Sequence, residues 1–392
     1  MKHKKEMILW LTYWYPDKEN PIRGNFIRAQ WKAARQAGCN VELLFVDIAK
    51  GKRLMHVNWL KGEEGEIILQ VRSRAWKTIY HTPIWAARMI SKKWFLKTGL
   101  DRPKIIHSNV VFPAGLLAEQ LSRKWNIPFI ISEHWSKAAR WTRHKLFGKK
   151  VRSAYEEANI ILPVSKHLSE DLQKRLPQIP GKLFKVIPNA IDMNSFNHVQ
   201  RELKPKKETF KILGVASLIK SNSEIKRVDF ALEALAILKR EQPNVNWIYT
   251  HVGKGERLDM LKDYAKGLGV FDDVKWIDSL NSTELFQEYV QADILLHPTK
   301  SETFGIVVLE AIQTGLNVVT TDIPAFRLWV NDKTGIRTEL NPNAIADGVR
   351  TLWENPIRIE KNIINSEIYR PKQVGEQIKK VYDNLISSNL KS

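Results

Sequence analysis

Two glutamates stand eight places apart in TKSETFGIVVLEAIQTG, residues 299–315, where almost every other residue is small or apolar. A carboxylate kept beside apparent core can serve as an acceptor for hydroxyls, since it carries two oxygens and no donor. Were one helix to run through both, Glu302 and Glu310 would lie roughly 80° apart around its axis and about 12 Å along it. A glycosidase pair must stand roughly 5–9.5 Å apart across one bond, so this spacing suits the two ends of an extended ligand instead. Between them, the amides of Thr303, Phe304, Gly305 and Ile306 fall at a helix start. There they lack intrahelical acceptors and sit at the positive end of the helix, where a diphosphate can bind. Gly305 would let backbone approach closely. A plainer reading of the same pattern makes Glu302 a cap and Glu310 a surface residue.

The elements around this stretch decide between the readings. ADILLHPT reads as a strand, KSETFG as the loop at its carboxyl end, IVVLEAIQTG as a helix with Glu310 about two turns in, and LNVVTTD as the next strand. In doubly wound sheets ligands lie beyond the carboxyl ends of the strands, which is where this loop falls. EMILWLTYW, NVELLFVDI, PKIIHSNV, PFIISEH and NIILPVS read as buried strands alternating with helices such as NFIRAQWKAARQAG. The alternation stops at the polar, aperiodic NHVQRELKPKKETF, then resumes with FKILGVASL, NVNWIYTHVG and VKWID. Such βαβ alternation implies parallel sheets covered on both faces, and the 392-residue length exceeds one ordinary core. The expectation is an α/β protein of two doubly wound Rossmann-like domains, residues 1–200 and 201–370, with a cleft between them. A helix over 371–392, apolar at Val374, Ile378, Val381, Tyr382 and Leu385, is expected to pack back on the first domain.

Composition narrows the function classes. Hydrophobic residues make up 43% of the chain, and the single cysteine, Cys39, precludes an internal disulfide framework. No Cys/His cluster has zinc spacing and no D-x-D occurs, so no metal is expected. The start MKHKKEMILWLTYWYP is basic and then apolar, but breaks at Pro16 and Asp17 without a small-residue cleavage site and reads as a first strand. No segment reaches the roughly 20 apolar residues of a membrane span, which points to a soluble cytoplasmic chain. The net charge of +20 is unevenly placed: 35 Lys and Arg against 16 Asp and Glu in residues 1–200, and 27 against 26 thereafter. Aromatic residues are interleaved with the cations in residues 73–97 and 134–150. This mixture suits an anionic membrane surface, possible on the inner face of a membrane. Nucleic acid is a less favoured anion and is not expected, and a solubilising face is the plain alternative.

The ordered motifs resemble a known family. SETFGIVVLEAIQTGLNVVTT is similar to the E-x7-E signature of retaining nucleotide-sugar glycosyltransferases of family 4, which have the GT-B architecture of two facing Rossmann-like domains. SEHW (132–135) resembles the segment with the family's active-site histidine. KVIPNAID (185–192) resembles its V-x-P-N-G-V-D run, with Ala190 for glycine; HVGKGER (251–257) its G-x-G-x-E strand end; and NPIRGNF (20–26) its N-terminal glycine loop. The resemblance implies roles. Glu310 would accept hydrogen bonds from donor ribose hydroxyls, Glu302 would face the donor sugar, and Lys226 would neutralise the diphosphate. His134 would face the transferred sugar, and Gly24 and Gly253 would admit backbone close to the donor. Asn25, Trp135, Lys137 and Trp141 would lie on the acceptor side.

Two departures stand out. The family's arginine in a G-R-L segment is replaced by Ala216, Ser217 and Leu218, and the glycine after the lysine is Arg227. Lys220 or Arg227 would compensate, or Ser217 would donate a weaker bond. His107 reads as structural and Asp229 as a cap or ion-pair partner. GKGERL has Leu258 where a third dinucleotide-binding glycine belongs, which disfavours oxidoreduction. The expected activity is retaining, metal-independent transfer from a UDP- or GDP-linked sugar, without a further cofactor, to a lipid-linked or saccharide acceptor. The alternatives are an inert sugar-nucleotide-binding protein and a GT-B sugar-nucleotide epimerase.

Overall fold

The computed structural model describes residues 6–17, 23–192 and 195–389, with backbone alone at 221, 222 and 389. The chain forms two compact units, residues 1–191 with 368–392, and residues 192–367. The polar segment read as a linker belongs to the second unit. Phe196 packs edge-on against Tyr289 at 5.8 Å, and the Arg201 guanidinium donates to the carbonyls of Tyr289, Val290 and Ala292. Polarity concealed this because the anchoring is by one ring and one guanidinium rather than by a periodic apolar face.

The first unit holds a seven-stranded sheet. Its strands are β1 (Met7–Thr12), β2 (Asn40–Lys50), β3 (His56–Lys61), β4 (Ile67–Ser73), β5 (Ile105–Asn109), β6 (Phe129–Glu133) and β7 (Ile160–Pro163), in the order β3-β4-β2-β1-β5-β6-β7. All neighbours run parallel except the β3–β4 pair. That antiparallel pair is absent from the sequence reading because β3, at the sheet edge, is nowhere fully buried and its composition is mixed. The central strands β1, β5 and β6 are buried nearly throughout, so they read as continuous apolar runs.

The second unit holds six parallel strands, β8 (Thr209–Val215), β9 (Asn246–Val252), β10 (Val274–Ile277), β11 (Ile294–His297), β12 (Asn317–Thr321) and β13 (Gly335–Thr338). Their order is β10-β9-β8-β11-β12-β13. The edge strand β13 was not anticipated; at four residues with an exposed Arg337 it carries little pattern. Its core brings Trp247, Tyr249, Leu235, Leu238, Val319 and Val349 together.

The final helix, Pro371–Asn389, packs in the first unit against the helix Asn25–Gln36. Val374, Ile378, Val381 and Tyr382 are buried, and Leu385 packs beside them, as their spacing requires. Tyr382 also fastens the helix to the sheet: its hydroxyl accepts from Trp10 Nε1 at 2.7 Å and meets His107 Nδ1 at 2.6 Å. His107 Nε2 lies 2.7 Å from Ser132 Oγ, so this imidazole is fully engaged within the core. Burial pulls its pKa down to about 3, which keeps it neutral. Tyr382→Phe strands a buried indole N–H and one imidazole nitrogen, each costing about 1–3 kcal/mol. Urea unfolding of the first unit should show a loss of about 2–4 kcal/mol; unchanged stability would contradict this fastening.

Candidate functional site

In the second unit the loop after β11 and the helix Ile306–Gln313 carry the two glutamates. The helix starts at Ile306 and Glu302 lies on the loop, as the sequence reading placed them; Glu310 is the fifth helical residue, nearer one turn in than two. Gly305 is the N-cap at φ 80° and ψ 52°, a left-handed conformation that disfavours side chains, and a Cβ there would meet Phe326 at 2.5 Å. The amides of Gly305, Ile306 and Val307 have no acceptor among the described residues. The amide of Thr303 is a correction: it donates to Glu302 Oε1 at 3.0 Å and is not open to a ligand. Phe304 sends its ring into the core, 5.0 Å from that of Trp329.

Glu302 makes no side-chain cap to the helix, whose N-cap is Gly305, and its other oxygen binds Lys226 Nζ. Lys226 ends the short helix Lys220–Lys226 after β8, the neighbour of β11, so adjacent strands deliver the two partners. Burial alone would raise the Glu302 carboxyl, but the Lys226 ammonium and His297 more than reverse this and hold it well below the usual carboxylate range. His297, at the end of β11, has Nε2 3.9 Å from Glu302 Oε2. That is too long for a hydrogen bond, and Nε2 is buried without a partner, as is Thr320 Oγ1 on β12.

Glu310 is compensated differently. Tyr289 Oη donates to its Oε2 at 3.0 Å, and nothing cationic pairs with it among the described residues. Burial therefore prevails and pushes its carboxyl up to about 7. This is a buried acceptor with capacity for further donors, not the exposed residue of the plainer reading.

The family's missing arginine has no ready substitute in Arg227. Its guanidinium makes a bidentate pair with Asp229, at 2.9 and 2.7 Å, and stacks over Phe230 at 3.2 Å. Asp229 is thus an ion-pair partner. Arg227 also takes φ 48°, the left-handed region that a glycine would occupy without strain. Ser217 Oγ accepts weakly from the Ile219 amide at 3.4 Å, and the Lys220 amide is capped by Glu256 at 2.8 Å. Gly253 follows β9, and a Cβ there would sit 1.9 Å from the Ala216 carbonyl oxygen, so no other residue fits.

The first unit gathers the remaining predicted residues at the carboxyl ends of β1 and β6. Gly24 caps the helix Asn25–Gln36 with φ 70°, and Asn25 is its first residue. Asn20, Pro21 and Ile22 of the same motif lie outside the described residues. His134 Nδ1 meets Asn189 Oδ1 at 3.0 Å, its ring lies 4.7 Å from Phe26, and its Nε2 is buried without a partner. Burial lowers its pKa to about 3. With Nδ1 donating to Asn189, Nε2 offers a lone pair. Trp135 lies 5.2 Å from Trp141, and Lys137 caps the turn Ala138–Trp141 that carries it.

The sequence reading missed Glu133. Completely buried, its carboxylate accepts from the amides of Val111, His134 and Trp135 at 2.9–3.0 Å and from Tyr155 Oη at 2.7 Å. It thereby fixes the loops after β5 and β6 to one point. Burial pushes its carboxyl up to about 7, against the pull of these four donors. The signal was available: an acid ending the apolar run PFIISE must be answered by several donors. Tyr289 and His297 were also missed, since nothing in their local sequence marks them, and Asn189 was given no role although it lies in KVIPNAID.

The comparisons with known proteins agree with this arrangement. Residues 24–195 match the model described as Glycosyltransferase Family 4, and residues 197–368 that described as Glycosyl transferases group 1. Glycogen synthase of Mycobacterium tuberculosis H37Rv is 26% identical over 281 residues, 68% of this chain and 64% of that protein. The chain therefore aligns with less than two thirds of that relative's length. Alpha-monoglucosyldiacylglycerol synthase of Streptococcus pneumoniae R6 is 23% identical over 305 residues, 73% of this chain and 67% of that one. Among solved structures, HepE of Anabaena in complex with UDP and glucose superposes with a TM-score of 0.68 at 16% identity, covering 97% of this chain and all of that one. With both family models matched in order on two parallel-sheet units, the chain belongs to the group 1, family 4 glycosyltransferases of GT-B fold.

Proposed function

We propose that this protein transfers a sugar, with retention and without a metal, from a nucleoside diphosphate to an acceptor hydroxyl. The observation that carries the reading is the half-buried Lys226–Glu302 pair beside the unpaired amides of Gly305, Ile306 and Val307. A diphosphate displaces Glu302 as the partner of Lys226. A unit charge near 4 Å is worth about 4 kcal/mol at an effective dielectric of 20. A helix terminus, at about half a charge, supplies roughly half that. Lys226 is then the larger contributor to stabilising the departing charge. Glu302, released from the lysine, turns to the sugar hydroxyls, and Glu310 accepts from the ribose.

Attack comes from the face the diphosphate leaves, with a phosphate oxygen taking the acceptor proton. His134 is neutral and serves as a hydrogen-bond acceptor rather than as a base. Glu133 holds His134 and Trp135 in place through their amides. The relation to HepE favours a UDP-linked donor, and the two curated relatives favour a polysaccharide or glycolipid acceptor.

Peripheral attachment to an anionic membrane, on the cytoplasmic side, is part of the same proposal. The helix Ile84–Thr98 buries Ala86, Ala87, Ile90 and Trp94, while exposing Ile84, Phe95 and Leu96 among Arg88, Lys92, Lys93 and Lys97. Apolar side chains within a cationic ring suit a headgroup layer. No described helix is long and apolar enough to cross a membrane.

One observation favours a second reading, an inert sugar-nucleotide-binding protein: Ser217 stands at the arginine position and Arg227 is held by Asp229. Binding without release of nucleoside diphosphate, across neutral and anionic acceptors, would establish it.

Four outcomes are expected. Thermal-shift screening should find one nucleoside diphosphate that raises the melting temperature by mass action. Glu302→Ala should keep that binding and lose about 100-fold in kcat, whereas Lys226→Ala should lose both; unchanged turnover in both variants would refute the site. Liposome flotation should depend on anionic lipid and on Phe95 and Leu96, and indifference to lipid charge would refute the membrane face.

The fourth outcome follows from Glu310. Folded, it holds its proton to about pH 7; unfolded, to about 4.5. The folded state thus binds more protons between these values, and stability falls as pH rises through that window. Relative to Glu310→Gln, the second unit should lose about 3 kcal/mol between pH 4.5 and above 7 in urea titrations. A pH-independent difference would place Glu310 in a polar setting instead.

A further inference from the structure

Of the polar side chains in the first unit that have a buried atom without a hydrogen-bond partner, three lie at the carboxyl ends of three adjacent strands. Tyr13 Oη follows β1, both amide atoms of Asn109 end β5, and His134 Nε2 follows β6. They are 3%, 1% and 6% exposed. The register sets Asn109 opposite Ser132, two residues before His134, and Leu11 opposite Ser108, so Tyr13 and His134 stand one and two residues beyond Asn109 at this edge of the sheet. Leaving such groups unanswered costs about 1–3 kcal/mol each, which a purely structural site would have removed by apolar substitution. Only His134 belongs to the family's motif; Tyr13 and Asn109 are unassigned.

Two further observations limit what could answer them. Half-buried rings continue from this point: Trp14 meets Trp135 edge-on at 6.0 Å, Trp135 meets Trp141 at 5.2 Å, and Trp141 stacks on His144 at 4.5 Å. Indole faces beside hydroxyl-binding groups suit the C–H faces of sugar rings. The same segment has no acid from His134 to Tyr155, and Lys137, Arg140, Arg143, Lys145, Lys149 and Lys150 have no carboxylate partner among the described residues. Unneutralised cations beside the rings call for anionic groups on the ligand. A bilayer would meet the charge but leave the three buried polar groups unanswered. The segment exposes only Leu146 as a large aliphatic, whereas Ile84, Phe95 and Leu96 are exposed on the helix Ile84–Thr98.

We propose that Tyr13, Asn109 and His134, with the wall of Trp14, Trp135 and Trp141 and the cations from Lys137 to Lys150, form an acceptor subsite for an anionic saccharide. This deepens the glycosyltransferase reading and rests on it. Hydroxyls of the saccharide are held by the three polar groups, its rings stack on the indoles, and its carboxylates or phosphates meet the cations. The saccharide may be free or carried on a lipid diphosphate; the recognising chemistry is the same.

The test uses the full chain saturated with the nucleoside diphosphate found by thermal shift, so that phosphate-binding groups of the second unit are occupied. Titration calorimetry then compares trigalacturonate with maltotriose. Trigalacturonate should bind at least about tenfold more tightly, and added salt should weaken it. Tyr13→Phe and Asn109→Leu should each weaken it about tenfold while the melting temperature holds or rises, because each removes a buried polar group without a partner. Trp141→Ala should lose binding without affecting nucleoside diphosphate affinity. Phosphatidylglycerol vesicles should not displace the trisaccharide. Equal affinity for the neutral sugar, no binding of trigalacturonate, indifference to these variants, or displacement by vesicles would each overturn the proposal. Failure of every nucleoside diphosphate to raise the melting temperature would instead strike the glycosyltransferase reading, and trigalacturonate binding would then be judged without it.

Discussion

The ion pair between Lys226 and Glu302 is the interaction on which the second unit's chemistry depends. Taking both charges out of water costs several kcal/mol per ion, returned only if the partners stay together or find equal substitutes. The fold meets this by delivering them from neighbouring strands, β8 and β11, onto loops at the same edge of the sheet. A pair of this kind is a poor source of stability but a good ligand sensor. Any anion that replaces the carboxylate must match its charge and position, and a diphosphate beside free helix amides does so.

Three buried carboxylates illustrate how compensation differs with task. Glu133 accepts four hydrogen bonds and holds loops together, Glu302 faces a cation, and Glu310 has one phenol. The number of donors already present sets how many a ligand can add: none at Glu133, and several at Glu310. Similarly, His107 within β5 and His134 just after the neighbouring β6 are both buried and neutral. His107 has both nitrogens engaged, and His134 only one. The unpartnered atom, rather than the residue type or its pKa, distinguishes the structural imidazole from the one available to a ligand.

Much of this architecture was legible in the sequence because parallel strands buried on both faces read as apolar runs, and the helix after each run shows its period. The Pro371–Asn389 helix was visible for the same reason. What escaped was marginal in burial: β3 and β13 at sheet edges, and the segment around Phe196 and Arg201, which is anchored by contacts that composition cannot reveal. At the site, residues on loops after strands could be named from the pattern of SETFGIVVLE and the resembling motifs. Their partners could not. Tyr289 reaches Glu310 from a helix 21 positions earlier, and Asn189 reaches His134 from 55 positions later. The capture of Thr303's amide by Glu302 is a contact between adjacent loop residues, which the apolar pattern does not reveal.

The most direct measurement is a crystal structure with an intact nucleotide-sugar bound. The account predicts that phosphate oxygens lie within hydrogen-bond distance of Lys226 Nζ and of the amides of Gly305 to Val307, that Glu310 accepts from the ribose, and that Glu302 has left the lysine. A ligand bound elsewhere, or bound here with the Lys226–Glu302 pair intact, would contradict it.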